Sequence, residues 1–326
     1  MKRELLKGLT GIVLLVVVIA TVAMIADFFL NRHPSSPALT GKTAVHDRQA
    51  GSVTEVKKPA VVKSRQDKSE EKQPAAVTKV FEVFDDGPAR EPLHREPAPR
   101  VDDSLPRVAI IIDDIGFDKT MAHDMAALDG GITLSILPGA PFGGSIARSL
   151  KANGTEIMLH LPMEPMEYPG VDPGRGAVLM SMTPDEVIDQ VRKDLDEIPG
   201  VSGVNNHMGS RITTLSSTMY QIFTVLKQRD LFFIDSRTSR DSLCRPSSRL
   251  LQVPFAQRDV FLDNIQDPAY IKNQIRELID IARRHGTAIG IGHPYKATYM
   301  TLKDEIETLK GKVKLVPASS LVSPAG

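Results

Sequence analysis

The chain has 326 residues, 41% of them hydrophobic, and its 40 basic side chains are balanced by 40 acidic ones. That balance excludes the concentrated basic footprint of a dedicated nucleic-acid binder. A single cysteine, Cys244, excludes an internal disulfide, a disulfide-stapled scaffold and cysteine-rich zinc folds. By length alone about two domains would be expected, but the composition is uneven and divides the chain into pieces.

Positions 8–26 carry no charge and consist mostly of Val, Leu, Ile and Ala. As a helix this stretch would span roughly 28 Å at about 1.5 Å per residue, enough to cross a bilayer core. Lys2, Arg3 and Lys7 precede it and Asp27 follows, which predicts a cytoplasmic N-terminus. A cleaved signal peptide is the competing reading. Its apolar region would be about 7–15 residues, with an A-x-A-like cleavage site. The run here is longer, and Ala23-Met24-Ile25-Ala26 has the wrong spacing. The expectation for residues 1–30 is one transmembrane signal anchor in an inner membrane, with the rest of the chain exported to the periplasm.

Residues 31–106 are rich in proline and in charges of both signs. Such a segment buries too little apolar surface to offset its ordering entropy, which predicts a disordered linker. Its one apolar knot, Val80-Phe81-Glu82-Val83-Phe84, is a candidate docking strand.

From Arg107 to about residue 320 short apolar runs alternate with amphipathic stretches, leaving a tail at 321–326. The runs are Val108–Ile112, Ile132–Leu137, Glu156–Leu159, Val201–Asn205, Leu231–Ile234, Val260–Leu262, Ala288–Ile291 and Val313–Val316. Thr183-Pro184-Asp185-Glu186 reads as an N-cap, a first-turn proline and a capping-box acid. Val187, Val191 and Leu195 then recur every four residues until Pro199-Gly200. A second helix opens at Asp267-Pro268, presents Ile271, Ile275, Leu278 and Ala282 on one face, and closes at Gly286. Strands alternating with helices predict parallel strands joined by crossovers, and seven or eight such units favour an α/β barrel over an open sheet.

In such barrels chemistry gathers where strands end. The ends here read Asp113-Asp114, His160 followed by Glu164, Asn205-Asn206-His207 leading to Arg211, Asp235-Ser236-Arg237, and Gly292-His293-Pro294. Each alone has an ordinary structural explanation, as a helix cap or a hydrogen-bonded core histidine. Several on one rim call for a shared one. Asp and His together suit zinc or a similar divalent ion, and three protein ligands with an open position mark a catalytic site. A carboxylate beside it as base and a histidinium opposite as acid would complete amide hydrolysis.

These residues resemble the polysaccharide deacetylases with the NodB homology domain (carbohydrate esterase family 4), and most of all their divergent, YibQ-like branch. The resemblance rests on IIIDDIGFD at 110–118, MLHLPMEP at 158–165, NNHMGSR at 205–211, FFIDSRTS at 232–239 and IGIGHPY at 289–295. It implies a distorted (β/α)7 barrel, with Asp113 as catalytic base, Asp114 and His160 as metal ligands and His293 as general acid. The family's second metal histidine is replaced by Glu164, so the third ligand is either Glu164 or His207, with His207 preferred. No Arg-x-Pro motif is evident, which leaves Arg211 or Arg237 to do its work. Asp235 is expected to orient a catalytic partner, and Tyr295 to contact substrate.

Two functions follow. The first is a membrane-tethered, periplasmic, zinc-dependent enzyme removing N-acetyl groups from a glycan, either peptidoglycan or an exopolysaccharide. The second keeps the barrel without turnover, as a glycan-binding or envelope-scaffold protein. Intact Asp113, Asp114 and His293 favour the enzyme, and Glu164 favours the alternative. The discriminating feature is whether Asp114, His160 and His207 converge.

Overall fold

The computed structural model describes residues 105–323. The expected membrane anchor, the linker and the Val80–Phe84 knot lie outside them. Among the described residues no helix is long and apolar enough to cross a membrane.

Eight apolar runs become eight strands: β1 (Arg107–Ile115), β2 (Ile132–Ile136), β3 (Ile157–Met163), β4 (Gly203–Met208), β5 (Phe232–Asp235), β7 (Val260–Phe261), β8 (Thr287–Gly292) and β9 (Lys314–Leu315). The ninth, β6 (Phe255–Gln257), is three residues long and sits just after Pro254, too short to read as a separate run. The helices between them are α1 (Lys119–Ala126), α2 (Gly143–Ala152), α3 (Pro184–Glu197), α4 (Ser216–Gln228), α5 (Cys244–Leu251), α6 (Pro268–His285) and α7 (Lys296–Lys310).

Every ladder is parallel, and the strand order is β6-β5-β4-β3-β2-β1-β8-β7, with β9 beside the start of β1. Hydrogen bonds do not join β6 to β7. Those two ends of the sheet are nonetheless consecutive in the chain: Arg258 N–H bonds Asp235 O at 2.9 Å, and the next residue, Asp259, bonds Ile289 O at 2.9 Å. One extended segment therefore begins on β5 and finishes on β8. The expected barrel is present in a coarser form, as a curled, all-parallel α/β half-barrel.

Both anticipated helix starts hold. In α3 the Thr183 side chain accepts from Glu186 N–H while the Glu186 carboxylate accepts from Thr183 N–H. In α6 Asp267 caps Tyr270 N–H, and Gly286 ends the helix in the left-handed region at φ 82°. Val187, Val191 and Leu195 are buried, as are Ile271, Ile275, Leu278 and Ala282. Burying each large aliphatic side chain contributes about 1.5–3 kcal/mol before entropy is subtracted.

Strand side chains alternate between two faces, and this positions the site. Val108, Ile110, Ile112, Leu159, Val204 and Phe233 belong to the large core under the helices. Their neighbours Ala109, Ile111, Met158, Phe232, Ile234, Ile289 and Ile291 face inward and form a smaller core, closed below by Ala318 with Leu321 and Val322 packed against it. Gly203 belongs to this floor because Phe232 lies beside it; a Cβ there would sit 2.4 Å from the ring. Ser323, in the expected tail, exchanges backbone hydrogen bonds with Phe255. Two residues above the floor, the same inward parity delivers Asp113, His160, Asn205, Ser236 and His293.

Candidate active site

Asp113 and Asp114 are adjacent, so in a regular strand they would face opposite sides of the sheet. The register of β1 slips between Ile112 and Ile115, and Asp114 adopts φ 55°. Aspartate tolerates this left-handed conformation better than most residues, though it costs roughly 1–2 kcal/mol. The bulge turns Asp114 toward the site that Asp113 already faces. Met208 (φ 52°) and Arg237 (φ 55°) adopt the same conformation just past their own strands' inward residues. Backbone strain of this kind concentrates at functional sites.

Three side chains converge: Asp114, His160 and His207 each offer one ligand atom, all within 4.8 Å of one another. Asp114 Oδ1 lies 3.1 Å from His207 Nδ1 and 3.4 Å from His160 Nε2. The third edge, His160 Nε2 to His207 Nδ1, is 3.1 Å. Ligand atoms held about 2.0–2.1 Å from a tetrahedral zinc would lie about 3.3 Å apart, so the three edges match one face of that tetrahedron. Asp114 Oδ1 is buried and makes no hydrogen bond of good geometry. A buried carboxylate oxygen in that condition asks for a cation. The residues fit a divalent ion such as zinc.

The expected alternative ligand, Glu164, is engaged elsewhere. Its Oε1 pairs with Arg211 Nε at 3.1 Å and its Oε2 accepts from Met180 N–H at 2.8 Å. Arg211 also donates to Met166 O at 2.6 Å, so this pair braces the loop between β3 and α3. Asp235 stands one residue out of the inward parity of β5. It accepts from Arg237 N–H at 2.8 Å and Ser242 Oγ at 2.7 Å, close to the buried Cys244. Neither Asp235 nor Arg237 lines the cavities at the cluster.

The expected acid does lie beside the cluster. Asp113, His160, His207 and His293 line a cavity of about 30 Å³, room for a water molecule. A larger cavity of about 180 Å³ is lined by Asp114 with Gly116, Phe117, Met121, Pro294 and Tyr295. His293 is oriented by a residue missed in the sequence. Asp263 Oδ1 contacts its Nδ1 at 2.8 Å, and Asp263 Oδ2 accepts from His293 N–H and from Thr298 Oγ, both at 2.6 Å. A signal for Asp263 existed, because it directly follows the apolar run Val260–Leu262 and is one more polar residue at a strand end. Phe261 stacks on His293 with centroids 6.3 Å apart, and the Arg258 guanidinium lies over the Phe261 ring, 3.8 Å from its centroid.

The charges sort into roles. Burial, the largest effect on the Asp113 carboxyl, pushes it up; His160, His293 and the Asn205 amide pull the other way and lose. Burial also acts on Asp114, but the neighbouring His207 and His160 rings outweigh it and hold the carboxyl well below the usual carboxylate range. Burial favours neutral His293, yet the hydrogen bond and charge of Asp263 outweigh it and push the ring up to about 9. His207 is held down by burial despite Asp114 beside it. The site thus holds a carboxylate raised toward basicity, an ionised ligand carboxylate and a histidine charged at neutral pH. Divergence of this kind separates acid from base in an active site.

A curled parallel α/β half-barrel, with an Asp-His-His group that could hold a metal at its strand ends and Asp113 and His293 lining the cavity beside it, defines the class. The model of the divergent polysaccharide deacetylase family matches residues 110–322, and the chain belongs to that family. It is 32% identical over 217 residues to the uncharacterized protein YibQ of Escherichia coli (strain K12), covering 67% of each chain. An uncharacterized protein of Haemophilus influenzae is 31% identical over 215 residues, covering 66% of this chain and 76% of its own. Among solved structures, an uncharacterized protein from Agrobacterium tumefaciens superposes with a TM-score of 0.65 at 26% identity, over 69% of this chain and 93% of that one.

Proposed function

We propose that the protein is a membrane-tethered, periplasmic, zinc-dependent deacetylase that hydrolyses N-acetyl groups on an envelope polysaccharide. The observation that carries the reaction is the near-tetrahedral face formed by Asp114, His160 and His207, with Asp113 and His293 flanking one small cavity. When bound, the ion would lower the pKa of a water and polarise the amide carbonyl. Asp113, whose Oδ2 is 3.6 Å from His160 Nε2, stands where it can accept the water's proton. His293, kept charged by Asp263, donates a proton to the amine nitrogen as the C–N bond breaks. The products are acetate and a free amino sugar. Phe117 and Tyr295, in the larger cavity, offer apolar faces for a sugar ring.

The location rests on the apolar run at positions 8–26 and the proline-rich stretch after it. Peptidoglycan is the first substrate to test, because it is the N-acetylated polymer within a tether's reach. The glycan-binding alternative drew its support from Glu164; the convergence of His207 with Asp114 and His160 supports the enzyme reading over it. The test is acetate release from N-acetylglucosamine oligomers and from peptidoglycan, with and without added Zn²⁺, beside Asp113→Ala. Zinc-dependent release that disappears in the variant is the expected result. Stoichiometric zinc with no release from either substrate would return the reading to the glycan-binding alternative.

A further inference from the structure

We propose that Asn205 is a positioning residue that ties the base to the metal ligands, setting Asp113 and His160 through one side-chain amide. The inference rests on the deacetylase reading for the role of Asp113, but its link to His160 stands apart from turnover.

Asn205 is fully buried, on the inner face of β4, and is the register partner of His160 on β3. Its amide has two hydrogens to donate and two acceptor positions, and all four are used. Nδ2 donates to Asp113 Oδ1 at 2.8 Å and Oδ2 at 3.0 Å, with Ser236 Oγ at 3.4 Å on its other side. Oδ1 accepts from Ser135 Oγ at 2.6 Å and faces His160 Nδ1 at 2.9 Å.

The direction of these bonds follows from chemistry. The NH₂ faces both Asp113 oxygens, which leaves the amide oxygen, an acceptor only, to face His160. His160 Nδ1 therefore carries the hydrogen, and Nε2 keeps its lone pair for a cation that Asp114 and His207 would share. A second partner that fixes a ligand histidine's tautomer commonly changes metal affinity about 10–100-fold when removed. The same amide holds the Asp113 carboxylate in one orientation beside the cluster. Asn205 is neutral, so it places the base without adding a positive charge.

The two sides of the amide can be separated by substitution. Asn205→Asp keeps an acceptor for His160 and Ser135 but puts oxygen against oxygen at Asp113. Asn205→Ala removes both sides. In the metal-free intact chain at alkaline pH, ¹⁵N spectra of the histidine rings report the His160 tautomer. Calorimetry with Zn²⁺ alone reports affinity, and acetate release reports turnover. The parent and Asn205→Asp should show the Nδ1–H tautomer and zinc affinities within about threefold of each other. Asn205→Ala should lose the single tautomer and bind zinc about 10–100-fold more weakly. Both variants should lose about 100-fold or more in turnover.

An Asn205→Ala protein with parental tautomer and zinc affinity would overturn the proposal, and so would equal zinc losses in the two variants. If Asn205→Ala fails to fold, the near-isosteric Asn205→Asp decides the matter by splitting affinity from turnover. If the parent binds zinc but releases no acetate, the deacetylase reading fails while the tautomer and affinity comparison still judges Asn205.

Discussion

Replacing Asp263 with Asn tests the acid–base assignment at its most exposed point. Burial alone would drive His293 toward its neutral form; the bond and charge of Asp263 reverse this and bring the ring to about 9. Take the carboxylate away and only the smaller pull of the Asp114 and Asp113 charges still opposes burial, so the midpoint should fall toward the unperturbed histidine value of about 6.5. At pH 7.5 the protonated fraction drops from about 97% toward about 9%, costing roughly tenfold in any step that needs the imidazolium. The sign is fixed by the role. An acid works in its protonated form, so the basic limb of the pH–rate profile should move from near pH 9 in the parent to below pH 7 in the variant. Asp263 also accepts from His293 N–H and Thr298 Oγ. The variant should therefore lose about 1–3 kcal/mol of stability as well. Folding loss and ring titration are distinguished by following His293 itself by NMR in the folded variant, alongside the profile of acetate release. A His293 midpoint still above 8 in Asp263→Asn would refute the reasoning, because the elevation would then have another source.

Further outcomes follow from the same geometry. Asp194, buried on α3 with Oδ2 unpaired, is raised by burial to about 7 from 3.8. A carboxyl raised on folding stabilises fully below its unfolded pKa, and the contribution is lost as pH rises through the folded one. Asp194→Asn should therefore gain on the parent by up to about 1.4 kcal/mol per pH unit between pH 4 and 7 and then level off; urea denaturation at several pH values measures it, and a constant difference would refute it. His207→Ala should weaken zinc binding by about 100-fold or more, while Glu164→Gln, which only loosens the pair with Arg211, should stay within a few-fold. Calorimetry decides, and equal losses would reinstate Glu164 as a ligand. Gly203→Ala sets a methyl 2.4–2.6 Å from ring carbons of Phe232. It should cost about 1–3 kcal/mol in a thermal melt, and an unchanged melt would show that the ring can move.

Much of the site was legible before any coordinates. Each short apolar run between amphipathic stretches reads as a strand, and the polar residues that end such runs stand together at one rim. That logic found Asp113, Asp114, His160, His207 and His293, and the caps Thr183 and Asp267 marked helix starts because capping is chemistry between near neighbours. The same logic applied to Val260–Leu262 would have found Asp263.

Other features depended on tertiary structure because they join residues distant in the chain or break the local period. Asp235 falls on the helix side of β5, where Ser242 and Arg237 N–H take its oxygens. Asp114 reaches the cluster only through the bulge in β1. Glu164 and Arg211 are 47 positions apart, and their pairing holds Glu164 away from the cluster that His207 joins. Asn205 gains its meaning from the register that sets β4 beside β3 and within reach of β1. Sequence by itself determined which side chains stand at the strand ends, since that follows from where each local apolar run stops. Which of them meet was decided by strand order, register and one left-handed residue, because contact between distant segments exists only once the sheet has curled.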